Sequence, residues 1–148
     1  MKSIGNVLFP VDLSEVSSKI VPWVHLIAEK FNATVHVLFV ARAFEHYAGM
    51  GIPLPYIHDF EGELVRQGEK RLLEFVEVWL KDVPIKTKVV SGHPAEQILE
   101  YVRTQPIDII VIGTHSRRGL EKAIFGSVAE HVVKFSPVPV TTVNPYRS

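Results

Sequence analysis

Residues 107–143 read IDIIVIGTHSRRGLEKAIFGSVAEHVVKFSPVPVTTV, and this stretch decides the fold. Ile107 to Ile112 is the most apolar of the candidate strands. A strand that is apolar on both faces is covered on both, as in the interior of a parallel sheet. Gly113, Gly119 and Gly126 punctuate the segment that follows. From Ser127 to Phe135, the residues Val128, Val132 and Phe135 recur at helical spacing. Val138 to Val143 is again rich in β-branched residues. Strand, helix and strand in this succession predict a parallel pair joined by a right-handed crossover.

The same alternation runs back to the N-terminus. Val7-Leu8-Phe9 is a short buried strand ended by Pro10. Ile20, Val21, Val24, Ile27, Ala28 and Phe31 form one helical face, with Ser17 or Ser18 as candidate cap. Pro22 implies that this helix either begins late or bends, because an interior proline removes a hydrogen bond. Thr34 to Val40 is the second strand. Val65, Leu72, Phe75, Val76 and Trp79 predict a helix over Leu64 to Leu80, weakened in its first half by Gly62 and Gly68. Ile85 to Val90 is the third strand, and Lys86 and Lys88 on one face place it near a sheet edge. Pro94 opens a helix whose apolar face is Ala95, Ile98, Leu99 and Val102. Between strand 2 and its helix, Ala41 to about His58 holds Gly49, Gly51, Pro53 and Pro55, and a mobile surface loop is expected there ahead of a ligand lid. The order is an α/β domain without repeats or an internal boundary.

Composition narrows the function. Of 148 residues, 47% are apolar and 22% charged, which excludes a disordered chain. Lys+Arg and Asp+Glu both number 16, so a strongly basic nucleic-acid binder is not expected. No apolar run reaches the ~20 residues that span a bilayer, and the N-terminus does not read as a signal peptide. Cysteine is absent, which removes disulfides and thiol chemistry and fits a cytoplasmic protein. There is no G-x-x-x-x-G-K-[ST], H-E-x-x-H or G-x-S-x-G, and Gly49-Met-Gly51 lacks the third glycine of a dinucleotide fingerprint. The histidines form no pair at metal-ligand spacing within one helix, so no metal site is expected.

Ligands of open α/β sheets sit beyond the C-terminal strand ends, where strand order reverses. The connections after strand 1 and strand 4 are therefore the candidates. After strand 1 come Pro10-Val11-Asp12-Leu13-Ser14. Asp12 can accept hydrogen bonds from a ribose diol, or Asp12 and Ser14 can simply organise the turn. After strand 4, Gly113 and Gly126 let a backbone approach phosphate closely, and the following helix N-terminus offers free N–H groups. Ser127-x-x-Glu130 is equally a capping box, which needs no ligand. His115 is the one histidine within this glycine segment.

The start VLFPVDLSE, the turn SGHPAEQIL, and DIIVIGTHSRRGLEKAIFGSVAEHVV followed by PVPVTTV together resemble the universal stress protein family over nearly the whole chain. The resemblance implies one domain spanning 1–148. It would be a doubly wound, five-stranded parallel sheet in order 3-2-1-4-5 with helices on both faces. Strands 1 and 4 would then flank one crevice. The ATP-binding subgroup carries G-x2-G-x9-G-[ST], which Gly113, Gly126 and Ser127 match, with Ser116 in place of the second glycine. Serine adds a side chain and disfavours positive φ, so Ser116 bears on affinity more than on the existence of the site.

By the resemblance, Asp12 holds the ribose, Pro10 and Val11 line the base, and Val40 meets adenine through its backbone. Gly113, Ser116, Gly126, Ser127 and Val128 surround ribose and phosphates. The implied cofactor is ATP, ADP or AMP, with Mg on the phosphates. The implied function is that of a cytoplasmic, nucleotide-responsive stress regulator. The alternatives are a slow ATPase or nucleotidyl transferase on the same pocket, and a nucleotide-free stress-induced dimer. Binding is favoured over turnover, because no clear general base or acidic metal pair accompanies the phosphate segment. A homodimer is expected through Val138 to Val143, an uncharged edge strand. No nucleic acid or membrane partner is expected.

Overall fold

Strand β1 (Asn6–Val11) lies in the middle of the sheet, with β2 (Thr34–Ala41) on one side and β4 (Ile109–Gly113) on the other. The outer positions belong to β3 (Ile85–Ser91) and β5 (Val140–Val143), so the order is β3-β2-β1-β4-β5. Every pairing is parallel. This is the order the resemblance implies, with β4 interior and the lysine-bearing β3 at an edge. The computed structural model describes residues 2–42, 50–115 and 126–147.

Among the described residues four helices connect these strands: α1 (Glu15–Phe31), α2 (Leu54–Trp79), α3 (Pro94–Thr104) and α4 (Ser127–Phe135). The strands alternate their side chains between two cores. Val7, Phe9, Val35, Val37 and Val111 pack with Ile20 and Val24 of α1 and with Leu72 and Val76 of α2. Leu8, Leu38, Val40, Ile110 and Ile112 pack with Ile98 and Val102 of α3 and with Val132 of α4. Helices therefore cover both faces.

Several boundaries differ from the expectations, each for a physical reason. Pro10 does not end β1: it stands opposite Leu38 in register, and the strand continues to Val11. Helix α1 begins at Glu15, capped by Ser14 rather than Ser17 or Ser18, with the Ser14 hydroxyl accepting from the Val16 N–H at 3.2 Å. Pro22 lies inside this helix on its exposed face, where water can serve the carbonyl that its missing N–H leaves. Helix α2 starts at Leu54, not Leu64, because Pro53 and Pro55 occupy N-terminal positions that need no donor, and Ile57 is buried. Gly68 is the point where α2 presses on the sheet. A Cβ there would lie 3.0 Å from Val89 and 3.1 Å from the Phe39 ring. The glycine that weakens a helix in isolation permits this close approach.

Strand β4 starts at Ile109 instead of Ile107, because Asp108 is a bracket. Its Oδ2 accepts from the Gly5 N–H at 2.8 Å and the Asn6 N–H at 2.9 Å. Strand β5 starts at Val140 because Ser136 turns the chain before it, both donating to the Val138 carbonyl and accepting from its N–H. Of the long connection expected from Ala41 to His58, residues 54–58 belong to α2, and 43–49 lie outside the described residues.

One polar group crosses the α3 face of the sheet. His36 of β2 is 1% exposed. Its Nε2 is 2.9 Å from Asn6 Oδ1, and its Nδ1 is 2.7 Å from the Tyr101 hydroxyl of α3. An amide oxygen can only accept, so Nε2 carries the proton and Tyr101 donates to Nδ1. Neutral imidazole thus satisfies both partners. Burial, and secondarily the Lys86 charge opposite it in β3, hold the His36 pKa below the ordinary 6.5. Burial also raises the Tyr101 pKa, keeping that hydroxyl a donor.

The sign of the linkage follows. Below pH 6.5 the unfolded chain protonates this imidazole before the folded chain does. The contribution of neutral His36 is therefore full above pH 6.5 and is lost as pH falls from there toward the lowered folded value. Urea unfolding of wild type and His36→Gln at pH 7.5 and pH 5 checks this. Wild type should lose more stability on acidification than the variant, and equal losses would remove His36 from the account.

Candidate nucleotide cleft

The turn after β1 is built around one carboxylate. Asp12 Oδ1 accepts from the Ser14 N–H at 3.0 Å, the Ser14 hydroxyl at 2.7 Å and the Ser17 hydroxyl at 2.9 Å. The Asp12 N–H in turn donates to Ser17 Oγ at 3.3 Å. Between them, Leu13 has φ 61°, a left-handed conformation that costs a bulky residue about 1–3 kcal/mol. The carboxylate's hydrogen bonds offset that strain and lead the chain into α1. Asp12 therefore organises the turn, as one of the two sequence readings held.

Past β4, the chain returns to the sheet through a tight closure. The Gly126 N–H donates to the Thr114 carbonyl at 2.7 Å, while the Thr114 N–H donates to the Val143 carbonyl at 2.9 Å. Gly126 is the N-cap of α4, with no side chain to cap it, and Ser127 is the first helical residue. The capping box expected from Ser127 and Glu130 is not formed, because the helix starts one position too early for Ser127 to be its cap. A Cβ on Gly126 would lie 2.7 Å from the Thr114 carbonyl oxygen. A Cβ on Gly113 would run into the Ile20 side chain of α1.

These two connections face each other across a cleft of about 280 Å³ at the C-terminal ends of β1, β2 and β4. Pro10, Val11, Asp12, Val40, Gly113 and Val128, the positions that the resemblance singles out, all stand in its wall. Gly126 and Ser127 start α4 immediately before Val128, next to the wall, not in it. Ser116 lies outside the described residues.

The wall also holds residues that the sequence reading did not place. Ile20 and Ser17 come from α1, Pro94 and Ile98 from the start of α3, and Leu38, Phe39 and Arg42 from the end of β2. His115, singled out in the sequence without a role, lines the cleft as well. Its Nδ1 is 2.8 Å from the Thr114 hydroxyl. Pro94 and Arg42 had a signal available, since each follows a strand at its C-terminal end. The result is a largely apolar slot, with Asp12, Ser17, Arg42 and His115 as its polar points. Such a mixture suits a flat heterocycle carrying a polar appendage. Among the described residues, no three His, Cys, Asp or Glu cluster as metal ligands, and no helix is long and apolar enough to cross a membrane.

A family model described as the universal stress protein family matches residues 3–144. Universal stress protein MJ0531 of Methanocaldococcus jannaschii is 31% identical over 140 residues, covering 93% of this chain and 81% of that one. The fold superposes on the solved structure of MJ0577, a universal stress protein of the same organism, with TM-score 0.82 at 23% identity over 97% of each chain. A universal stress protein solved in complex with cAMP aligns with TM-score 0.63 at 20% identity, over 97% of this chain and 99% of that one. A family protein of Arabidopsis thaliana with AMP bound aligns with TM-score 0.62 at 19% identity, over 95% and 91%. At these identities the structural likenesses carry the fold alone.

The closure at Gly126 makes a prediction independent of any ligand. Gly126→Ala drives a Cβ against a backbone carbonyl, which cannot rotate away as a side chain can. Overpacking of this kind costs about 1–3 kcal/mol. The ligand-free variant should melt several degrees below wild type by calorimetry. An unchanged midpoint would mean that no such clash operates and that glycine at 126 serves only a ligand.

Proposed function

The chain belongs to the universal stress protein family, and on that footing we propose that it binds an adenine nucleotide, ATP or AMP, in the cleft between the β1 and β4 ends. The observation that carries this reading is the convergence of an apolar slot, one carboxylate and a glycine-opened helix start at the point where strand order reverses. Relatives solved with cAMP and with AMP support it. Val11, Val40 and Pro10 flank the base, and Asp12 receives the ribose hydroxyls. Gly113, Gly126, Ser127 and Val128 border the phosphates, and Ser116 moderates affinity at the second position of the glycine pattern. A Mg²⁺ accompanying the phosphates would neutralise part of their charge.

The protein acts by binding, as a nucleotide-responsive regulator in the cytoplasm. Among the described wall residues Asp12 is the sole carboxylate, and its Oδ1 already accepts three hydrogen bonds. A carboxylate so engaged is a poor general base.

Calorimetry with ATP, AMP and GTP tests the assignment. ATP or AMP should bind and GTP more weakly; no heat from any adenine nucleotide would overturn it. Asp12→Asn keeps an acceptor oxygen for the turn and removes the charge. Hydrogen bonds to a charged group are worth about 1.5–3 kcal/mol, so affinity should fall by about 10- to 100-fold, with a lowered melting temperature as the turn's own hydrogen bonds lose their charge. Undiminished affinity would leave Asp12 as a turn former only.

The second part of the proposal is a homodimer through β5, which is an edge of the sheet. The carbonyls of Pro139 and Val143 are taken by amides of the β4 side. Groups alternate in direction along a strand, so Val140 and Thr142 direct their N–H and C=O outward, available to a second copy. Sedimentation at micromolar concentration should show twice the chain mass, and Thr142→Pro should give monomer without breaking the β4 ladder. A wild-type monomer refutes the dimer.

A further inference from the structure

The C-terminal residues do not trail off from β5. Immediately after the strand, Asn144 Oδ1 accepts from the Tyr146 N–H at 3.0 Å and the Asn144 carbonyl accepts from the Arg147 N–H at 3.2 Å. This turn buries Pro145 and lays the Tyr146 ring on the α1 side of the core. Short termini fray unless something ties them down. Here the tie leads to the cleft. The Tyr146 ring meets His115 edge to face, with centroids 5.3 Å apart and planes at 77°. Lys19 of α1 sits 5.3 Å from the Tyr146 centroid.

His115 is itself 8% exposed and forms part of the cleft wall, whereas Tyr146 stands outside that wall. The imidazole is thus held by the Thr114 hydroxyl and by the Tyr146 ring. Thr114, in turn, is pinned by β5 through its N–H and by Gly126 through its carbonyl. From this geometry we infer that Tyr146 is a positioning residue for the cleft, fixing the His115 ring against the bound ligand although the tail itself touches none of it.

The edge-to-face arrangement is the one aromatic rings favour, so it restricts the imidazole to one orientation. A wall group already oriented loses less freedom when a ligand arrives. The inference rests on the nucleotide reading of the cleft, and its test separates the two. Wild type, Tyr146→Leu and Tyr146→Phe are compared, each with His115 intact and with His115→Ala, after melting curves show that each is folded.

In the ligand-free proteins, the His115 ring-proton resonances should shift in Tyr146→Leu and stay near wild type in Tyr146→Phe. ATP affinity should fall about five-fold in Tyr146→Leu, recover in Tyr146→Phe, and fall no further when Tyr146→Leu is added to His115→Ala, the signature of residues acting as a unit. Equal losses in both His115 backgrounds, or unmoved ring resonances in Tyr146→Leu, overturn the positioning role while nucleotide binding stands. A wild-type protein that takes up no ATP overturns the nucleotide reading and this inference with it.

Discussion

Everything in this molecule is arranged around β1, because the chain winds away from it in opposite senses. Through α1 the chain passes to β2 on one face, and through α3 it returns from the far edge to β4 on the other. Right-handed crossovers oblige the helices to those faces. Helix starts that leave neighbouring strands for opposite faces cannot close over the strand ends between them. A crevice is the necessary result, walled by the ends of β1, β2 and β4 and by the starts of α1, α3 and α4. A strand flanked by others and covered on both faces must be apolar throughout, which Val7, Leu8 and Phe9 satisfy with no exposure.

Close approach shapes the crevice. Gly113 lies where Ile20 of α1 crosses the β4 end, and Gly126 lies where α4 closes on the Thr114 carbonyl. Both glycines are required by the packing of the protein itself. Their place in a nucleotide-binding pattern is compatible with that. A backbone that already admits a neighbouring carbonyl or methyl without a Cβ in the way can be approached as closely by the atoms of a ligand. Asp12 shows the same economy, since the carboxylate that holds Leu13 in a left-handed turn stands in the cleft wall as well.

The opposite end of the sheet carries a polar set of its own. Asn6, His36 and Tyr101 join β1, β2 and α3 through neutral hydrogen bonds, and Asp108 secures the start of β4 to Gly5 and Asn6. Buried polar groups that find all their partners specify register where apolar side chains tolerate slippage. The strand starts are thereby set, and through the strands the positions of their C-terminal ends.

The element order and the apolar faces were legible in the residues themselves, because helical and strand periodicities are local properties. Strand order and the pairing of β1 with β4 came from resemblance, since no local pattern encodes which strands are neighbours. Among the wall residues, Pro10, Val11, Asp12 and Gly113 could be read from position after a strand, whereas Val40 and Val128 came from the resemblance. Ile20, Ile98 and Ser17 could not, because each reads as an ordinary helix residue until α1 and α3 are placed on opposite faces. The cap at Ser14 and the start of α2 at Leu54 rest on near neighbours, the Val16 N–H and the prolines Pro53 and Pro55, whereas the start of α4 is fixed by Thr114 on the far side of the glycine segment. Local chemistry determined what each segment of this chain could become. Only the tertiary structure decided which ends meet, because meeting is set by crossover handedness and packing between residues far apart in the chain.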